Sequence, residues 1–300
     1  MRILVADHIS EEALEKLREL GEVVFRPEIS REELLNEIRK AEVLVVRSRT
    51  KVDREVISKG ERLKVIARPG VGLDNIDLEA AKERGIKVLN TPGAVTEAVA
   101  ELVFAHLLSL LRRIPEANES LRKGEWIKKD LIGEELYGKT MGIVGFGRIG
   151  SRVAEISKAF GMRVLVFDPY VKAEGFEQVD SLDELVRKSD FVSIHVPLTE
   201  ETKGLFKEET LKNMKEGAVL INTSRGGVVE QKALFKFLKS GRIRACLDVF
   251  EREPPGEDAL FSIGTEKLSV SPHIGASTIE SQRRAGLELV DRIKEAMGLG

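Results

Sequence analysis

Of the four histidines in this 300-residue sequence, His273 stands where an imidazole could move a proton. It lies in Ser271-Pro272-His273-Ile274-Gly275-Ala276, between a proline that stiffens the chain and a glycine that frees it. Histidine is the side chain whose ordinary titration falls near neutrality. Glu253, in Phe250-Glu251-Arg252-Glu253-Pro254, could hold the imidazolium and fix its orientation. Arg225, in Asn222-Thr223-Ser224-Arg225-Gly226-Gly227, could grip a carboxylate with its forked guanidinium and polarise a carbonyl. Taken singly, the Arg and Glu also read as surface charges and the His as a turn residue. Each, however, follows a β-branched run, so the three would meet at one sheet edge. The other histidines have plainer readings. His106 sits in an apolar helical stretch as a packed or interface residue, and His8, beside Asp7, caps a helix. His195, in His195-Val196-Pro197, ends a strand at an edge where ligands collect.

A second cluster is built for phosphate. Gly145-Phe146-Gly147-Arg148-Ile149-Gly150 follows a strand pattern and opens a helical one. In that setting the first glycine permits a tight turn, the second lets backbone approach a pyrophosphate, and the third allows close helix packing. Glycines also close ordinary strand-to-helix turns, so Asp168 decides the reading. It ends the next strand eighteen residues beyond Gly150, about where a carboxylate accepts from ribose hydroxyls, roughly 20 residues on. A carboxylate there repels a ribose phosphate, which favours NAD over NADP; the plainer role is a turn or cap before Pro169.

The elements that must position these groups form two series. Strand patterns at Ile3–Ala6, Val23–Phe25, Val43–Val46, Lys64–Ala67 and Lys87–Leu89 alternate with helical ones at Glu11–Leu20, Arg31–Lys40 and Leu78–Arg84. Asn90-Thr91-Pro92-Gly93 punctuates the chain, and one long helix is expected from Thr96 to about Lys123. Six further strands, at residues 140–144, 163–167, 191–195, 218–222, 245–249 and 268–270, alternate with helices at Ile149–Phe160, Ser181–Lys188, Lys207–Met214 and Gln231–Lys239. The pattern predicts an α/β protein of doubly wound parallel sheets, closed by a last helix over Thr278–Met297.

Composition narrows the classes. Lys and Arg total 48 against 50 Asp and Glu, a net charge of −2 with both signs interspersed, which argues against a nucleic-acid protein. The longest apolar run, Leu102 to Leu111, is interrupted by His106 and Ser109 and is too short for a bilayer. The first residues run straight into a strand pattern without a signal segment, so a cytoplasmic protein is expected. The single cysteine, Cys246, reads as a core residue and leaves no metal-binding cluster. A charged fraction of 33% with few amide side chains and one Cys resembles thermophile composition.

With these motifs in hand, the sequence resembles the D-isomer-specific 2-hydroxyacid dehydrogenase family over its whole length. The segments that carry the likeness are 65–77, 145–150, 222–227, 247–254 and 271–278. The resemblance implies that Arg225 binds a substrate carboxylate and 2-oxygen, that His273 is the general acid/base, and that Glu253 supports it. It also implies that Arg148 and Ile149 meet the pyrophosphate, that Asp248 lies by the nicotinamide amide, and that Val71, Val196, Thr223 and Ser224 line the cofactor site. Gly145, Gly147, Gly150, Asp168, His195, Pro197, Gly275 and Ala276 complete the expected cofactor set, and no metal is expected. The implied architecture is discontinuous: residues 1–93 with 279–300 form a flavodoxin-like substrate domain, and 94–278 form a Rossmann NAD-binding domain, with a cleft between them. Homodimers through the helix starting near Thr96 are implied as well.

The substrate reading rests on charge. Arg68-Pro69-Gly70-Val71-Gly72 can direct backbone N–H groups at a carboxylate, while Arg68 and Arg47 favour a phosphate. Both also read as surface charge. Within the family, the sequence therefore resembles the enzymes that oxidise D-3-phosphoglycerate to 3-phosphohydroxypyruvate, the entry to serine synthesis. A glyoxylate or hydroxypyruvate reductase is the alternative within this chemistry; a non-catalytic NAD(H)-sensing protein is the alternative outside it. Because the chain stops at Gly300, immediately after its closing helix, serine feedback through a C-terminal regulatory domain is not expected.

Overall fold

The computed structural model describes residues 1–299; the expected reach of the first domain's closing segment to Gly300 lies outside the described residues. The chain divides into two units, Met1–Thr96 with Ala276–Gly300, and Glu97–Gly275. The crossings fall at 96/97 and 275/276 rather than 93/94 and 278/279. Hydrogen bonding explains the first shift, since the Ala94 carbonyl accepts from Arg284 Nη2 at 3.1 Å and Ser281 Oγ at 3.3 Å, tying that turn to the closing helix.

In the first unit, strands β1 (Arg2–Val5), β2 (Glu22–Phe25), β3 (Val43–Val45), β4 (Val65–Arg68) and β5 (Lys87–Asn90) form a parallel sheet in the order β2-β1-β3-β4-β5. Helices α1 (Glu11–Leu20), α2 (Arg31–Glu37), α3 (Arg54–Lys59) and α4 (Leu78–Glu83) connect them, and α11 (Ile279–Met297) returns to the same unit. Alternate strand residues face opposite layers, as the two-residue period of a strand requires. Ile3 and Val5 pack with Leu14, Leu17, Leu289 and Ile293, whereas Leu4 and Ala6 pack with Leu34, Ile38 and Ile57.

The second unit carries seven parallel strands: β6 (Thr140–Val144), β7 (Arg163–Phe167), β8 (Glu177–Gln178), β9 (Phe191–Ile194), β10 (Val219–Asn222), β11 (Arg244–Leu247) and β12 (Leu268–Val270). Their order is β12-β11-β10-β9-β6-β7-β8, so the strand order reverses beside β6. Its helices are α5 (Thr96–Leu111), α6 (Ile114–Arg122), α7 (Arg148–Ala159), α8 (Leu182–Lys188), α9 (Glu208–Asn213) and α10 (Gln231–Lys239). Cys246 is a fully buried core residue packed with Met141 and Ile221.

Three elements depart from the sequence reading. The seventh strand, β8, is two exposed residues at the sheet edge, paired through Leu165↔Glu177 and Val166↔Gln178, with no apolar alternation to announce it. The six-residue α3, capped by Asp53 on Val56 N–H, was unread for the same brevity. The long helix from Thr96 breaks after Leu111: Arg113 adopts a left-handed φ of 51° as the N-cap of α6, and Pro115 stands in the first turn of α6, where the N–H it lacks has no intrahelical partner to lose, whereas in one continuous helix it would leave a carbonyl unbonded.

Candidate active site

The loops leaving β10, β11 and β12 carry Arg225, Glu253 and His273, all within the second unit. His273 Nδ1 lies 2.6 Å from Glu253 Oε2, and Glu253 Oε1 accepts from Phe250 N at 3.1 Å. The carboxylate is thus oriented by its own loop before it meets the ring. Burial acts to raise the pKa of Glu253, but its hydrogen bond to His273, the backbone bond and the nearby Arg225 charge together hold it below the ordinary carboxylate value. Because Nδ1 is engaged, Nε2 is the nitrogen left to exchange a proton.

Asn222 organises the Arg225 loop. Its side chain accepts from Ser224 N at 3.0 Å and Ser224 Oγ at 2.8 Å, and donates to the Arg225 carbonyl at 2.9 Å. A Cβ on Gly226 would stand 1.9 Å from the Phe250 carbonyl carbon and oxygen, so the arginine loop abuts the glutamate loop backbone to backbone. That contact brings Arg225 and Glu253 into one neighbourhood.

The phosphate loop has equally tight requirements. Gly145 has a φ of 91°, and a Cβ there would meet His195 O and Val196 Cγ1 at 2.8 Å; one on Gly150 would meet Gly145 O at 2.0 Å. Gly147 has open space around it. Asp168 accepts from Phe146 N at 2.7 Å through one oxygen and from Tyr170 and Val171 N at 2.8 and 2.9 Å through the other. It therefore holds the glycine loop and its own turn, while a carboxylate retains further lone pairs for hydroxyl donors. Thr223 Oγ1 is buried and has no protein partner. An orphaned hydroxyl, an open glycine and a carboxylate at the ends of β10, β6 and β7 fit a dinucleotide.

His195 takes a different part from His273. Its Nε2 lies 2.8 Å from Ser193 Oγ, and burial pushes its pKa down to about 3, so it stays neutral at physiological pH. Pro197 stands beyond it, its carbonyl accepting from Thr202 Oγ1 at 2.5 Å. Arg148 is exposed at the start of α7, and Ile149 packs partly into the core. Asp248 is fully buried and accepts from Ile274 N and Gly275 N, both at 2.8 Å.

The first unit holds a small cleft of its own, lined by Ser10, Arg47, Pro69, Ser281, Gln282 and Ala276, among others. Ala276, expected beside Gly275 in the cofactor set, is the first residue of the closing segment of this unit and also lines the cleft. Burial lowers the pKa of the Arg47 guanidinium, with Asp7 opposing. Asp7 is itself occupied, accepting from Arg47 N at 2.5 Å, Arg49 Nε at 3.0 Å and Thr50 Oγ1 at 2.9 Å. Neither Asp7 nor His8 caps α1: Ser10 holds the N-cap position without a side-chain cap bond, and His8 pairs with Glu28 at 3.2 Å. Ser10 Oγ is buried without a partner.

The 68–72 loop is anchored rather than open throughout. Gly70 N donates to Thr91 Oγ1 at 2.8 Å, Arg68 Nη1 donates across the loop to Gly72 O, and Asn90 Nδ2 donates to Val71 O at 2.7 Å. Any backbone donor this loop offers an anion would thus come from Val71 or Gly72, not from Gly70 as well. The sequence reading missed Ser10, Ser281, Gln282 and Thr91; no linear motif joins them to Arg47 or to the loop.

A family model described as the NAD binding domain of D-isomer specific 2-hydroxyacid dehydrogenase matches residues 104–275. The chain is 47% identical over 303 residues to a D-3-phosphoglycerate dehydrogenase of Methanocaldococcus jannaschii, a match covering 99% of this chain and 57% of that protein's length. It is 46% identical over 304 residues to a hydroxypyruvate reductase of Thermotoga maritima, covering 99% of both. Among solved structures, an NAD+-bound 3-phosphoglycerate dehydrogenase of Entamoeba histolytica is similar with a TM-score of 0.86 and 32% identity, over 99% of this chain and 95% of that one.

Proposed function

This chain belongs to the D-isomer specific 2-hydroxyacid dehydrogenases, and from that premise we propose that it oxidises D-3-phosphoglycerate to 3-phosphohydroxypyruvate with NAD, the first step of serine synthesis. The observation that carries the phosphorylated substrate is Arg47. Its half-buried guanidinium lines a cleft with the unpartnered Ser10 hydroxyl and Gln282 and donates to the His8 carbonyl at 3.4 Å, while the Asp7 carboxylate that attracts it is engaged by Arg49 and Thr50. A guanidinium in that setting calls for an anion, and its fork suits phosphate oxygens. The identity to a D-3-phosphoglycerate dehydrogenase supports the same reading.

When bound, NAD supplies the acceptor for the hydride that leaves C2 of the substrate. Arg225 binds the carboxylate and the C2 oxygen, fixing which hydrogen faces the cofactor and stabilising charge on the oxygen as the carbonyl forms. His273 Nε2 takes the hydroxyl proton, and Glu253 holds Nδ1–H so that the ring keeps one orientation. Asp168 accepts from the adenosine ribose, and the Gly145–Gly150 turn with Arg148 and Ile149 receives the pyrophosphate. Val71, His195, Val196, Pro197, Thr223, Ser224, Asp248 and Gly275 line the cofactor. Arg68 and the Val71 and Gly72 N–H groups are the first unit's candidates for holding the substrate's anionic groups.

A second reading, reduction of hydroxypyruvate, is favoured by the 46% identity to a hydroxypyruvate reductase. We also infer a homodimer. The support is the exposure of Leu121, Trp126, Ile132 and Tyr137, with Trp126 and Ile132 at 80% and 84%. These lie beyond α5, whose own apolar side chains are mostly buried within its unit. The direct assay is NADH formation from D-3-phosphoglycerate. The wild-type protein is expected to be active, and His273→Ala is expected to lose about 10² or more in kcat, the loss of a positioned acid/base, with NADH affinity nearly unchanged. A variant as fast as the wild type would remove the imidazole from the chemistry.

A further inference from the structure

We propose that His106 is a positioning residue for the loop that carries His273, acting through Ser271 on the buried Asp248 carboxylate. The inference rests on the reading of His273 as the proton carrier, and it assigns a task to the histidine that the mechanism leaves unused.

The loop needs holding. His273 has a left-handed φ of 53°, a conformation that a non-glycine residue keeps only where its surroundings dictate it. Asp248 supplies those surroundings. Its backbone carbonyl accepts from His273 N at 2.8 Å, Oδ1 from Ile274 N at 2.8 Å, and Oδ2 from Gly275 N at 2.8 Å. The orientation of that carboxylate is in turn fixed by a fourth donor, Ser271 Oγ, at 2.5 Å from Oδ1.

The protons of the network can be placed by elimination. A carboxylate only accepts, so the Ser271 hydroxyl donates its one hydrogen to Asp248. The 2.7 Å contact between Ser271 Oγ and His106 Nε2 must then be a donation from Nε2–H. That leaves Nδ1 bare, and the Ser269 hydroxyl, 2.7 Å away, donates to it. Burial lowers the His106 pKa against the opposing pull of Asp248, which favours the neutral ring, and in that ring this single tautomer satisfies every group. The remaining buried face of α5 is apolar, with Val103, Leu107 and Leu110, and a leucine at 106 would suit packing. It would leave Ser271 without its donor and free the hydroxyl to turn away from Asp248.

The test uses the full chain with three variants: His106→Leu, His106→Gln, whose amide N–H restores a donor to Ser271, and Ser271→Ala, which cuts the link while keeping the histidine. Two readouts are taken, steady-state kinetics and hydrogen exchange at the Ile274 and Gly275 amides in the cofactor-free protein. His106→Leu and Ser271→Ala are expected to lower kcat about tenfold with substrate KM within about twofold, and to speed exchange at both amides about tenfold or more. His106→Gln is expected to recover most of both. Exchange that stays at the wild-type rate in Ser271→Ala overturns the proposal, as does a His106→Gln variant impaired as deeply as His106→Leu. If His106→Leu fails to fold, Ser271→Ala and His106→Gln decide alone. If the wild-type protein turns over no 2-hydroxy acid, the reading of His273 fails while the exchange rates still decide the part played by His106.

Discussion

Two histidines stand at strand ends of the nucleotide sheet, and their surroundings separate them. His273 is paired to Glu253 at 2.6 Å and half-exposed, whereas His195 is partly buried beside Ser193 with its pKa lowered from 6.5 to about 3. A base whose folded pKa is depressed stays unprotonated in the native state while the unfolded chain takes up a proton. The stability it contributes is therefore present above pH 6.5 and lost as pH falls from there toward 3, by up to about 1.4 kcal/mol per pH unit. Glu253 works at lower pH: its depressed folded pKa makes its contribution present above its ordinary 4.5 and lost as pH falls through the lower, folded value. The Glu253 loss falls below 4.5, so the difference in urea midpoints between wild type and a His195 variant from pH 6.5 to 5 isolates His195. His195→Asn is expected to flatten the loss of stability there; a slope identical to wild type would contradict the neutral His195.

At the scale of elements, the site depends on where one backbone can touch another. Gly226 lies against the Phe250 carbonyl so closely that an alanine Cβ would sit 1.9 Å from it, and a backbone group cannot rotate aside. Gly226→Ala is expected to drive the Arg225 and Glu253 loops apart, destabilising the protein by roughly 1–3 kcal/mol as overpacking does. It should also reduce kcat/KM more than that loss of stability explains, measured as melting temperature and initial rates together; a variant with wild-type rates would contradict the contact. The sequence disclosed such loops unevenly. Gly145–Gly150 and Asp168 could be read because turn, helix start and ribose acid follow one another along the chain. The run Ile3-Leu4-Val5-Ala6 revealed β1 for a similar reason, since a parallel strand covered on both faces reads as one short apolar stretch. By contrast, β8 exists only through pairing with β7, and the break at Arg113 required weighing one proline against a long apolar helix. His106 met its serines across 163 and 165 residues of chain, a distance no local pattern spans.

At the scale of the whole molecule, each of two units closes its own parallel sheet between helical layers, and each brings a distinct set of charges. The second unit supplies Arg225, Glu253, His273 and the glycine loop; the first supplies Arg47 with Ser10 and Gln282. Arg47 was legible as a charge at the end of an apolar strand, but its cleft partners come from α11 and the approach to α1, which only the fold assembles. The exposed Leu121, Trp126, Ile132 and Tyr137 predict a dimer: sedimentation equilibrium should return twice the 33.3 kDa chain mass, and a monomer at micromolar concentration would oppose it. The choice of substrate is tested most directly by kcat/KM for D-3-phosphoglycerate against D-glycerate, in the wild-type protein and in Arg47→Ala. The phosphorylated acid should be preferred by about 10² or more, an advantage that a desolvated ion pair of roughly 3 kcal/mol confers, and Arg47→Ala should erase most of it. A wild-type protein that oxidises D-glycerate as well as its phosphate ester, or an Arg47→Ala variant that keeps the preference, would contradict the assignment.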